Sequence, residues 1–167
     1  MRYLKYVWLC FYLFIIAIIF SKAAASGEKS AAESNKVTDI VIGVVDDIRK
    51  GEEPIADKYG LENVRIFIRK AIGHFGIFLV LGLFAVGVYF SFINKRVLTL
   101  ILLFGSGFLV AAISEVIQIF ADSRGPSIKD VMIDYSGYLI GNGIVILFMF
   151  IIYSVKKNKK RKLEENI

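Results

Sequence analysis

Apolar residues along this chain gather into four long blocks, and the polar positions fall almost entirely between or after them. The blocks run from Tyr6 to Phe20, Ala71 to Ile93, Val97 to Ala121 and Val131 to Val155. A helix rises 1.5 Å per residue, so about 20 apolar residues cross a bilayer core. The last three blocks meet that length outright. The first meets it from Tyr3 onward if Lys5 snorkels toward the headgroups. Between the first two blocks, Val37, Ile40, Val41, Val44, Val45 and Ile48 recur at i, i+3, i+4, i+7, i+8 and i+11. That spacing predicts an amphipathic helix, opened by Asn35 or Thr38 and closed at Gly51, lying on the outer leaflet or over the bundle mouth. A shorter pattern of Leu61, Val64, Phe67, Ile68 and Ala71 runs straight into the second block, whereas Gly27 to Lys36 reads as a loose linker.

The predicted fold class is therefore all-α: a polytopic membrane bundle of four transmembrane helices plus an extracytoplasmic amphipathic helical segment. Residues 1–21 form an N-terminal transmembrane anchor or signal segment, 22–69 the extracytoplasmic segment, 70–155 a three-helix membrane core and 156–167 a basic cytoplasmic tail. Lys and Arg set the orientation. The start (Arg2, Lys5), the link Asn94-Lys95-Arg96 and the tail from Lys156 to Lys162 are all basic and fall on one side if four helices alternate. That side is expected to be cytoplasmic, in a bacterial cytoplasmic membrane. The segment from Lys22 to Lys70 is instead charge-balanced.

The first block admits two readings. A basic start, an apolar stretch and Ala23-Ala24-Ala25 have the pattern of a cleaved signal peptide; an uncleaved first helix is favoured over it. Leu9-Cys10 lacks the small residues of a lipidation site.

Composition then removes whole classes of function. At 56% hydrophobic residues and mean hydropathy +0.63 the chain is neither an ordinary soluble enzyme nor disordered. One cysteine, Cys10, rules out an intrachain disulfide or a multi-thiolate metal site. One histidine, His74, rules out multi-histidine zinc sites. No phosphate-binding glycine loop occurs. The net charge of +6 needs no nucleic-acid partner, because the basic tail is accounted for as a membrane anchor.

Ionisable residues inside a span are costly and mark function by default. The second span carries His74; the third carries Glu115 and Gln118, with Asp122 just beyond; the fourth begins at Asp130 and carries Asp134. Arg124 and Lys129 lie in the loop between the last two spans. Counting 1.5 Å per residue from the loops puts His74 and Asp134 about 6 Å deep, and Gln118 and Glu115 about 6 and 10 Å deep. Residues of three helices thus share one depth. Glu115, Gln118 and Asp122 lie on one helical face, as do Asp130, Asp134, Gly137 and Gly141. Gly137-x-x-x-Gly141 permits close backbone approach. The expectation is one outward polar pocket built from His74, Glu115, Gln118, Arg124, Asp130 and Asp134, roofed by the loop from Asp122 to Lys129.

Ser114-Glu115-Val116-Ile117-Gln118, then Arg124, Asp130, Asp134, Gly137 and Gly141, resembles the signature of the VanZ-like membrane family, S-E-x-x-Q, an Arg, D-x-x-x-N, then two glycines. Arg69-Lys70-Ala71-Ile72-Gly73-His74-Phe75 resembles that family's basic-then-His approach to its second helix. The resemblance covers Arg69 to Gly141. Asp134 departs from it, standing where the family usually has Asn; the added charge leaves open an anionic or a cationic ligand. The resemblance implies a bacterial envelope protein, and low-level resistance to teicoplanin, a lipoglycopeptide that binds wall precursors at the outer membrane face.

Three functions follow as expectations. The leading one is a binding protein whose pocket recognises a lipoglycopeptide or a lipid-linked wall precursor, with Arg124 on an anionic group. The second is an enzyme on a lipid-linked substrate, with Glu115, Asp134 and His74 as candidate acid/base groups; a buried ion network pairing Glu115 with Arg124 or His74 outweighs it. The third is a structural partner of wall-synthesis machinery. No cofactor is expected. A divalent cation on the oxygen-rich set is the one exception, and it suits Mg²⁺, Mn²⁺ or Ca²⁺ better than Cu⁺. A Ser-His-Asp triad from Ser114 or Ser127 has no supporting context.

Overall fold

The computed structural model describes residues 3–164; Arg2 of the basic start and residues 165–167 of the tail lie outside the described residues. It is all-helical among those residues. Four helices are long and apolar enough to cross a membrane. The elements are α1 (Leu4–Ala23), α2 (Gly27–Ile48), α3 (Ile55–Tyr59), α4 (Leu61–Ile68), a π-helical stretch Arg69–Gly76, α5 (Ile77–Phe92), α6 (Arg96–Gln118) and α7 (Ile128–Glu164). The run Leu61–Phe92 is one unbroken rod.

The spans alternate in direction, so the start of α1, the α5–α6 link and the end of α7 lie together at one end. Lys5 sits over the Phe92 ring, 4.9 Å from its centroid, which ties the first and second spans there. The opposite end carries the α6–α7 loop and the segment α2–α4. We call it the loop end.

Helix α5 is the centre of the bundle. Its Phe78, Leu81, Ala85, Val86 and Val88 pack with Tyr12, Ile15 and Ile19 of α1, Leu103, Val110 and Ala111 of α6, and Tyr138 of α7. In lipid such helices are held by close packing and interhelical hydrogen bonds rather than by the hydrophobic effect. Both devices are present. Gly107 leaves room for the Tyr138 ring, whose hydroxyl donates to the Leu103 carbonyl at 2.7 Å and meets Ser106 Oγ at 3.1 Å. Gly137 and Gly141 lie against the carbonyls of Phe75 and Leu79, contacts that a methyl group would obstruct.

Three expectations change. Gly27 to Lys36 is not a linker but the first half of α2. Ser26 caps it through Lys29 N, Gly27 N donates to the Asp122 carbonyl at 2.8 Å, and Lys22 pairs with Glu33. The third span ends at Gln118 instead of Ala121, because Asp122-Ser123-Arg124-Gly125-Pro126 turns, with Ser123 at φ 59°. The fourth begins at Ile128, three residues early, where Ser127 caps it by accepting from Asp130 N at its carbonyl and hydroxyl oxygens.

Helix α2 runs antiparallel to α3 and α4. Ser34 and Asn35 share a cleft with Arg65 and Arg69, and Asp46 Oδ1 accepts from Ile55 N at 3.0 Å. Its Ile40, Val44 and Ile48 stay exposed.

Candidate functional site

Three elements bring ionisable groups together near the loop end. Arg69–Gly76 winds as a π-helix, a geometry that adds a residue per turn and re-aims side chains. Gly73 and Gly76 lower the cost of leaving α-helical winding. The absent side chain of Gly137 lets α7 press on the Phe75 carbonyl. His74 is thereby carried against α7, where its Nδ1 lies 3.1 Å from Asp134 Oδ1.

Glu115 completes the group from α6. It is buried, and both its oxygens are held: Oε1 accepts from Gln118 Nε2 at 2.6 Å and Oε2 accepts from the Ser127 amide at 2.7 Å. Glu115 therefore pairs directly with neither Arg124 nor His74. One donor atom from each of His74, Glu115 and Asp134 lies within 4.8 Å of the others.

Asp130 stands at the edge of this group. Its carboxylate meets Lys70 Nζ at 3.0 Å, so its charge is balanced locally. Arg124 stands at the other edge, and its Nη1 donates to the Lys22 carbonyl at 2.9 Å and to the Ala25 carbonyl at 3.5 Å. These are carbonyls at the end of α1, where a cation also complements the helix dipole. Burial lowers the Arg124 pKa from its usual value, with the charge of Glu115 acting against it. Asp122 is exposed and off the Glu115 face, since α6 has already ended.

A cavity of about 240 Å³ opens beside the group. Ile19, Ile72, Ile77 and Phe78 give it apolar lining, and His74, Ser114, Gln118 and Asp134 give it polar lining. Lys22, Arg69 and Arg124 supply positive charge, and Glu33 negative charge. The hydrogen bond from Lys22 holds the Glu33 carboxyl below the usual glutamate range. Ser30, Glu33, Ser34 and Val37 of α2 form one wall. The expected roof, the loop from Asp122 to Lys129, contributes Arg124 alone, because α2 occupies that position.

Of the six residues expected to line one pocket, His74, Gln118, Arg124 and Asp134 line this cavity. Glu115 backs it through Gln118, and Asp130 is drawn aside by Lys70. The backbone amide of Ser127, which anchors Glu115, leaves no side-chain signature in a sequence. Lys70 was legible only as a basic residue near the membrane boundary. Asn142, one turn beyond Tyr138, is buried with no hydrogen-bond partner for its amide among the described residues.

A family model, VanZ/LLP1, matches residues 8–151, nearly the whole chain. The chain belongs to that family, and the match takes in α1 and α2 as well as the motif-bearing core. No curated protein and no solved structure matches it.

Proposed function

We propose that this VanZ/LLP1-family membrane protein recognises an anionic amphiphile of the cell envelope, a lipoglycopeptide or a lipid-linked wall intermediate, in the cavity at its loop end. The observation that carries the reading is the make-up of that one cavity. The apolar lining suits an acyl chain, and the buried polar lining suits sugar or peptide hydrogen bonds. Arg69 and Arg124 offer positive charge to a phosphate or carboxylate, while Lys22 is paired with Glu33. Arg124 commits Nη1 to the end of α1, which leaves the rest of its fork for a ligand.

Orientation supports the same reading. Lys95, Arg96 and the run from Lys156 to Arg161 occupy the end opposite the cavity, and the positive-inside rule assigns such an end to the cytoplasm. The cavity then opens at the outer leaflet, where lipid-linked precursors and lipoglycopeptides meet. Low-level teicoplanin resistance is the phenotype this predicts in a susceptible host. The test compares the parent with Glu115→Ala and Arg124→Ala at equal membrane abundance, by inhibitory concentration and by binding of labelled teicoplanin and labelled lipid-linked precursor in nanodiscs. Loss of binding and protection in both variants supports the reading. Unchanged protection, or no binding by the parent, sinks it.

A second reading rests on the clustering of His74, Glu115 and Asp134. Two carboxylates and an imidazole within reach of one another suffice for general acid/base chemistry. It requires turnover: labelled precursors incubated with the purified chain must yield a product that Glu115→Gln abolishes.

A further inference from the structure

We propose that His74, Glu115 and Asp134 bind one divalent transition-metal ion, Zn²⁺ or Mn²⁺, beside the cavity. The inference stands apart from which amphiphile the cavity recognises.

Distances come first. His74 Nδ1 and Asp134 Oδ1 are 3.1 Å apart, close to the separation of about 3.3 Å that two donors adopt in a tetrahedral shell at 2.0 Å from a shared ion. The ion would replace the proton these atoms now share. All three donors lie within 4.8 Å of one another. Even at that full spacing, a point equidistant from them is about 2.8 Å from each, against the 2.0–2.2 Å of nitrogen and oxygen ligands to zinc. Side-chain rotations of under about 1 Å close that gap.

Charge gives the independent reason. Glu115 and Asp134 are 3% and 1% exposed, and among the described residues neither has a Lys or Arg nitrogen within 4.0 Å. Lys70 pairs with Asp130, and Arg124 turns its Nη1 to carbonyl oxygens rather than to either carboxylate. A protonated imidazole offsets only one of the two buried carboxylates and no Lys or Arg contacts the other, and an incompletely compensated charge in a low dielectric is costly. A divalent ion supplies it.

The surroundings of Glu115 match what a carboxylate ligand needs. Ligating carboxylates are themselves hydrogen-bonded, and Gln118 and Ser127 hold the two oxygens of Glu115 while each oxygen keeps a second lone pair. Asp134 Oδ2 accepts no hydrogen bond among the described residues. One imidazole and two carboxylates favour Zn²⁺ or Mn²⁺, and the absence of a thiolate from the set disfavours Cu⁺. Three protein ligands leave a coordination position open for water or a ligand atom.

The test uses the full chain in nanodiscs, purified without a histidine tag, and Mn²⁺ as the probe with Zn²⁺ as competitor. Equilibrium dialysis should find one ion per chain. Electron-spin-echo modulation of bound Mn²⁺ should show one imidazole nitrogen, which only His74 can provide because the chain has no other histidine. Asp134→Asn and Glu115→Gln should weaken binding at least about tenfold, His74→Gln should erase the nitrogen coupling, and exposed Asp39→Asn should change neither. Occupancy below about a tenth of an ion per chain, no nitrogen coupling, or full binding by the cluster variants overturns the site. Should those variants fail to fold, stoichiometry and coupling in the unaltered chain decide the matter alone.

Discussion

His74 Nδ1 and Asp134 Oδ1 meet at 3.1 Å although sixty residues separate them in the chain. The contact joins the π-helical stretch of the second span to the last span, and the two side chains are 16% and 2% exposed, so the pair is largely shielded from water. Truncating one leaves the other stranded, which costs about 3 kcal/mol for a buried ionic partner. His74→Ala should therefore destabilise strongly, whereas Asp134→Asn keeps an oxygen acceptor and should cost about 1 kcal/mol. A double-mutant cycle by unfolding in detergent should return a coupling of about 1–3 kcal/mol. Additive single effects would show that the contact contributes nothing.

Glu115 differs in being held by two donors, Gln118 Nε2 and the Ser127 amide. Glu115→Gln keeps one oxygen for Ser127, and the new amide nitrogen can donate to Gln118 once the Gln118 amide turns over. That exchange preserves both hydrogen bonds, so the fold should lose less than about 1 kcal/mol. Glu115→Leu strands both donors and should cost about 2–4 kcal/mol. Thermal unfolding of the pair checks the difference. Equal losses would mean that the carboxylate charge, not the hydrogen bonding, stabilises this corner. A well-folded Glu115→Gln then separates charge from structure in any functional assay.

The glycines of α7 make a contrast within one helix. A methyl on Gly137 would meet the Phe75 carbonyl, and one on Gly141 the Leu79 carbonyl, both backbone atoms that cannot swing away. Gly143 faces open space. Gly137→Ala should separate α7 from the second span and cost at least about 2 kcal/mol, as overpacking does. Gly143→Ala should be neutral, or stabilising by up to about 1 kcal/mol through helix propensity. Folded yield and melting temperature in detergent distinguish them. A tolerated Gly137→Ala would mean that the π-helical stretch does not depend on this approach.

The spans were legible because lipid demands long apolar runs and any polar residue within them stands out. His74, Glu115 and Asp134 were visible for that reason, and their common depth followed from counting residues. What the sequence hid is decided by tertiary contacts. The π-helical winding around His74 lies against a glycine of another span, a contact that no local pattern announces. Gly27 to Lys36 is polar enough to read as a loop, yet Ser26, the Asp122 carbonyl and Lys22 all fasten it as helix. The partners of Arg124 are backbone carbonyls, which every residue carries and no spacing announces.

The fate of the first span tests how far this packing governs the mature protein. Ala23-Ala24-Ala25 offers a signal-peptidase pattern, and a peptidase takes its substrate as an extended strand. Here the pattern lies at the end of α1. Ala23 is 4% exposed, and the carbonyls of Lys22 and Ala25 accept from Arg124. Upstream, Tyr12, Ile15 and Ile19 belong to the bundle core, and the Trp8 ring fills the space left by Gly87. Cleavage would remove one of four spans and the Ile19 wall of the cavity. We predict that α1 is retained: an epitope at the N-terminus should stay on the full-length chain in membranes and co-migrate with one at the C-terminus. Arg124→Ala frees the helix end and Gly87→Leu displaces Trp8, so the double variant should begin to show the shorter product. A mature chain starting near Ser26 in the unaltered protein would mean that α1 leaves before the bundle closes around it.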